Sequence, residues 1–143
     1  MPTWLKALLA LLGAGGATCG LAVGGAVYWY RTHEAGLLQA TQRARQGGAA
    51  AGARVDADGC VAEALARADA KPGFGELLAH TSFLQACLEV ARWPEGFCAG
   101  VPDAADPIAS IAWLMRECER RKRPRDRSCQ RLLPVIQSAC ARP

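Results

Sequence analysis

The sequence predicts an all-α fold: an N-terminal transmembrane helix followed by a small disulfide-stapled bundle of about four short helices. Three observations predict it. Residues 7–30, ALLALLGAGGATCGLAVGGAVYWY, carry no charge over 24 positions. Beyond residue 55, apolar residues recur at three- and four-residue steps in four separate stretches, with no sustained strand alternation. Six cysteines, Cys60, Cys87, Cys98, Cys118, Cys129 and Cys140, follow the uncharged run. An even number in so short a region predicts a disulfide framework.

Residues 1–30 form the predicted membrane anchor, with the span at 7–30. At about 1.5 Å per residue its helix is roughly 36 Å long, enough for a hydrocarbon core of about 30 Å. Trp4 at one end and Tyr28, Trp29 and Tyr30 at the other are amphipathic rings of the kind that membrane interfaces favour. A cleaved signal peptide competes with this reading. Lys6 precedes the apolar run, and Ala17-Thr18-Cys19 offers small residues at a cut. The run continues well past that point, which favours an uncleaved anchor over both a signal peptide and a lipoprotein acylated on Cys19. Gly16, Gly20 and Gly24 stand four residues apart on one helix face. Missing side chains there let another backbone approach closely, for self-association or for a partner helix. Chance spacing within a glycine-rich span is the plainer alternative.

Residues 31–54 are expected to extend the helix into water and then to form a flexible linker. The extension, RTHEAGLLQATQRARQ, is polar, with Leu37, Leu38 and Ala40 as its few apolar positions; the linker is GGAAAGA at 47–53. Residues 55–143 form the predicted cysteine-rich helical domain. Its first helix is capped by Asp56 or Asp58, buries Cys60, Val61, Ala64, Leu65 and Ala68, and ends at Lys71-Pro72-Gly73. The second carries Leu77, Leu78, Leu84, Cys87, Leu88 and Ala91, and WPEGFC breaks it. The third begins at Asp106-Pro107, a capping residue followed by a proline where no N–H is needed, with a stripe of Ile108, Ile111, Leu114, Met115 and Cys118. The fourth carries Cys129, Leu132, Leu133, Ile136 and Cys140, and Pro134 should kink or divide it. A core of this size is marginal unless cross-linked, and disulfides typically supply about 2–4 kcal/mol each.

Cys87 and Cys98, Cys118 and Cys129, and Cys129 and Cys140 are each eleven positions apart. On a continuous helix such a pair lies about 16 Å apart, while bonded cysteines need Cα atoms within about 7 Å. Cys118 can therefore reach Cys129 only if the chain turns between them, and Pro124 near the midpoint provides the turn. The same reasoning prefers Cys87–Cys98 across Pro94-Glu95-Gly96, leaving Cys60–Cys140. Fifteen connectivities are open to six cysteines.

Charge divides the domain. From Arg116 onward nine basic residues face three acidic ones, net +6, while 55–115 holds three basic and nine acidic, net −6. The basic patch comprises Arg116, Arg120, Arg121, Lys122, Arg123, Arg125, Arg127 and Arg131. Nucleic acid is disfavoured as its partner, because no recognised motif and no interleaved aromatics accompany the arginines. Anionic lipid fits such a patch better. The simplest reading is a solvated turn whose cations partly pair with the acidic helices.

Known chemistries find little purchase. Zinc sites commonly use ligands two to four residues apart, and dithiol oxidoreductases use Cys-x-x-Cys; neither spacing occurs. His33 and His80 have no nucleophile placed beside them. No cofactor, metal or catalytic residue is expected. The expected function is a non-catalytic, single-pass membrane protein whose domain serves as an interaction or accessory module of an envelope complex. A secreted binding protein released by cleavage, and an enzyme or redox accessory with an unrecognised site, are the alternatives. For orientation, the Lys and Arg count around the span slightly favours the domain inside. The cysteines argue for an oxidising compartment and outweigh it. A composition rich in Ala, Gly and Arg is of a bacterial kind, so the expected location is the bacterial inner membrane with the C-terminal domain in the periplasm.

Overall fold

The computed structural model describes residues 3–68 and 73–141; for residues 3–22, Tyr30 and His33 it describes the backbone only. Among the described residues there are six helices and no strand: α1 (Thr3–Gly52), α2 (Ala57–Arg67), α3 (Phe74–Val90), α4 (Pro107–Arg120), α5 (Arg127–Leu132) and α6 (Pro134–Cys140). Contacts divide the chain into two compact units, residues 1–38 and 39–143.

In the first unit, α1 exposes Val23, Val27, Tyr28 and Trp29. A Cβ added at Gly24 or Gly25 would meet no other atom within 4 Å. Thr32 donates its hydroxyl to the carbonyls of Tyr28 and Trp29, closing the polar side chain onto its own helix. The side chains of 7–22 and Tyr30, most of the predicted span, lie outside the described residues, and so do the surroundings of Gly16 and Gly20 in the glycine groove. Among the described residues no helix is long and apolar enough to cross a membrane.

The second unit is built around α3, which packs against α2, α5 and α6. Its core contains Cys60, Val61, Ala64, Leu84, Cys87, Leu88, Leu132, Leu133 and Ile136. The local signals read from sequence operate here. Asp56 caps α2 by accepting from the Gly59 N–H at 2.8 Å, and Asp106 caps α4 by accepting from Ala109 at 2.9 Å. Pro134 divides the last helical stretch: Leu133 ends α5, and Pro134 opens α6, where its missing N–H costs nothing.

The structure corrects three expectations. Residues 47–53 are not a linker: α1 continues through Gly52 and lies on α3. A Cβ on Gly48 would collide with the carbonyl oxygen of Phe83, and one on Gly52 with that of Cys87. Two glycines four residues apart thus let backbone meet backbone. Ala51 is fully buried beside them, and Arg45 pairs with Glu89 at 3.3 Å on the rim.

The second correction concerns cysteine pairing. The bonds are Cys60–Cys87, Cys98–Cys140 and Cys118–Cys129, with Cα separations of 5.7, 5.6 and 6.0 Å. The expected Cys87–Cys98 and Cys60–Cys140 bonds do not form. Cys87 sits on the face of α3 that packs against α2, so its partner is Cys60. Beyond Val90 the chain turns, with Trp93 stacked edge-on against Phe97 at 5.2 Å and Gly96 at φ +79°. That turn delivers Cys98 to the end of α6, where it meets Cys140.

The third correction is the face that α4 buries. Trp113 and Cys118 face the core, Leu114 is half-buried, and Ile108, Ile111 and Met115 point to solvent. The helix is held by its other side. Gln137 from α6 donates to Ser110 Oγ at 2.9 Å and to the Pro102 carbonyl at 3.3 Å. Similarly, Leu78 in α3, expected in the apolar stripe, is exposed.

Candidate functional site

The basic end of the second unit concentrates the charge. It is a turn, residues 121–126, between α4 and α5, closed at its base by Cys118–Cys129. The C-terminus of α4 ends in paired backbone bonds: Arg123 N–H to Cys118 C=O at 2.8 Å and Lys122 N–H to Glu119 C=O at 2.9 Å. This is a Schellman closure, whose pivot residue takes the left-handed conformation. Lys122 occupies that pivot at φ 58°, and Arg125 takes φ 62° in the same turn. Glycine is the usual occupant, because a Cβ there crowds the following carbonyl. The disulfide and Asp126, which accepts from the Ser128 N–H at 2.8 Å to start α5, hold the turn against that preference.

The cations of this end fall into two sets. Arg120 and Arg121 both bond Glu117, at 2.6 and 2.8 Å, and Arg121 reaches on to Asp58 of α2 at 3.0 Å. The basic turn is thereby tied to an acidic helix. Burial pushes the Glu117 carboxyl up, but the hydrogen bonds from Arg120 and Arg121 outweigh it and hold the group below its ordinary value. Arg123 pairs with Asp126 at 3.0 Å within the turn. Arg116, Lys122, Arg125, Arg127 and Arg131 are exposed and make no ion pair among the described residues. They are the part of the patch open to an anionic partner.

Beside the network lies a hollow of about 330 Å³, lined by Asp58, Phe97, Trp113, Glu117, Arg120 and Arg121 among others. Its arginines are already engaged by carboxylates. Sequence reading did not single out Glu117, Trp113 or Gln137, and it offered Asp58 only as a helix cap, a place that Asp56 takes. The signal available for Glu117 was its spacing, three and four residues before two arginines on a helix.

Family models, curated proteins and solved structures were each compared with this chain, and none matches it.

The site is therefore read from its own chemistry. Among the described residues no three His, Cys, Asp or Glu side chains come together as a metal site. Cys60, Cys87, Cys118 and Cys129 are buried in their bonds, while Cys140 and Cys98 are partly accessible. His80 is half-buried on α3, and the side chains of His33 and Cys19 lie outside the described residues. What the arrangement offers is a rigid, cross-linked surface with a cationic end.

Proposed function

We propose that the chain is a single-pass membrane protein whose disulfide-stapled helical domain acts as a non-catalytic interaction module of an envelope complex. In this reading residues 7–30 are the anchor, and the domain lies in the periplasm of a bacterial cell. The carrying observation is the disulfide framework, which uses all six cysteines beyond the uncharged run. Such bonds persist in oxidising compartments, and thiols so engaged are not nucleophiles. Support for the anchor comes from the 24 uncharged residues and their flanking aromatic rings. The glycine groove gives the anchor a packing face for a partner helix or a second copy. Arg116, Lys122, Arg125, Arg127 and Arg131 give the domain a surface for anionic lipid or an acidic partner.

Fractionation tests the reading. The protein should stay with membranes through an alkaline wash. Its oxidised form should show no reactive thiol apart from Cys19. Recovery from the soluble periplasmic fraction, with a mature N-terminus near Gly20, would replace the anchor with the secreted alternative, which Lys6 and the small residues before Cys19 favour. A readily reduced cysteine pair would favour a redox accessory instead.

A further inference from the structure

The basic turn holds two cations where the backbone favours glycine. Lys122, at φ 58°, is the pivot that ends α4. Arg125, at φ 62°, is the third residue of a second turn, Arg123-Pro124-Arg125-Asp126, closed by the Asp126 N–H on the Arg123 carbonyl at 3.3 Å. Proline second and a left-handed residue third is the type II pattern, in which glycine is the usual third residue. Glycine would hold either backbone at lower cost. Neither side chain offsets that cost inside the domain: both are exposed, and neither makes an ion pair among the described residues. Backbone strain of this kind gathers at sites of function.

We propose that the turn docks on the anionic headgroups of a bilayer surface, and that Lys122 and Arg125 hold their strained positions for the charge they present to it. Arg116, Arg127 and Arg131 are exposed and unpaired around them, and Glu119 is the one exposed acid between residues 116 and 131. Five free cations against one acid leave this end with an excess of four positive charges. The neighbouring hollow is lined by Arg120 and Arg121, whose charge Glu117 and Asp58 take, and not by these five. No large apolar or aromatic side chain is exposed between residues 116 and 131. A protein partner would be expected to find such an anchor at the centre of its contact, where lysine is scarce. Single-stranded nucleic acid would need aromatic rings on which its bases stack. Long cations alone suit a flat field of anionic headgroups. This rests on the reading of residues 7–30 as an anchor, which keeps the domain beside a membrane.

The test uses the full-length oxidised protein in vesicles, with a dansyl amino acid in place of the exposed Gln130 and a nitroxide on lipid headgroups as quencher. Quenching is expected in phosphatidylglycerol mixed with phosphatidylcholine, not in phosphatidylcholine alone, and should fade as salt screens the attraction. Each cation at an anionic surface is worth about fivefold in binding, so Lys122→Gly with Arg125→Gly should lower the docked-to-undocked ratio roughly 25-fold. The urea midpoint of that variant without lipid should not fall, an outcome that a purely structural role for the two residues would not give. Lys122→Asn with Arg125→Asn provides the same reading if the glycine variant folds poorly, and Glu119→Gln should raise the ratio. Equal quenching in both vesicles, no quenching, or a ratio indifferent to the double variants would overturn the proposal. Displacement by inorganic phosphate beyond that by chloride at equal ionic strength would assign the turn to a free phosphate instead. Relief of the quenching by substoichiometric polyglutamate or duplex DNA would assign it to an acidic partner or a nucleic acid. An alkaline wash reads the anchor separately. Protein retained through it yet unquenched refutes the docking alone; protein released by it yet quenched at neutral pH refutes the anchor alone.

Discussion

Gly47 and Gly48 are neighbours on one helix, yet alanine should act on them with opposite sign. Gly→Ala within a helix is worth roughly 0.5–1 kcal/mol, because glycine has more backbone freedom to lose. At Gly47 the new Cβ would meet the Phe83 ring at 3.8 Å, an ordinary contact. Gly47→Ala should therefore stabilise the domain by about 0.5–1 kcal/mol. At Gly48 the same gain is opposed by a collision with the Phe83 carbonyl, whose carbon and Cα would lie 3.0 and 3.1 Å from the added atom. A backbone cannot rotate aside as a side chain can. Overpacking typically costs about 1–3 kcal/mol, so the net for Gly48→Ala is a loss of about 1–2 kcal/mol. For a domain near this size, one kcal/mol moves the thermal midpoint by about 4–8 °C. Urea and thermal unfolding of the oxidised protein, followed by circular dichroism, would resolve both changes. If Gly48→Ala stabilises as Gly47→Ala does, then α1 does not cross α3 at this distance and residues 47–53 revert to a linker.

Replacing Cys118 and Cys129 together by serine should cost about 3 kcal/mol for a loop of this length, and peptide mapping without reduction should recover the two joined in the native chain. Lys122→Gly should raise stability by about 0.5–1 kcal/mol by relieving the left-handed backbone, read as a higher urea midpoint; a lower one would mean that the lysine side chain has a role there. Glu117 supplies a pH dependence. Burial pushes its carboxyl up and the two arginines pull it down further, leaving it below 4.5 in the folded state. A depressed acid contributes stability that is present above its unfolded value and is lost as pH falls through the folded one. Glu117→Gln should therefore be less stable than the parent at neutral pH and match it in acid. A gap that persists in acid would refute the assignment.

Local signals in the sequence were legible wherever a residue acts on its own chain. Asp56 and Asp106 cap helices, Pro134 divides one, and Pro124 lies in the turn that lets Cys118 reach Cys129. Each effect is settled within a few residues. What could not be read depends on a distant partner. Small residues at 47–53 have the composition of a linker, and the same absence of side chains is what a close crossing requires; only Phe83 and Cys87 decide between them. Cys87 and Cys98 were read as a hairpin pair, but the face that α3 turns toward α2 commits Cys87 to Cys60. Periodicity found the apolar stripe of α4 and assumed that it faces inward. Trp113, Cys118 and the Glu117 network turn the helix the other way.

The bonds Cys60–Cys87 and Cys98–Cys140 close two separate covalent rings, and Cys118–Cys129 closes a third inside the second. Cleavage within a ring leaves the pieces attached until reduction. The arginine-rich turn, which offers a trypsin-like protease its densest set of sites, lies inside two rings at once. Nicks there would leave the mass of the oxidised domain together. Between Cys60 and Cys140 only residues 88–97 belong to no ring, and Arg92, exposed within them, is the one basic residue at which a single cut would part the two rings. The domain is in this sense two links joined by one short stretch of chain.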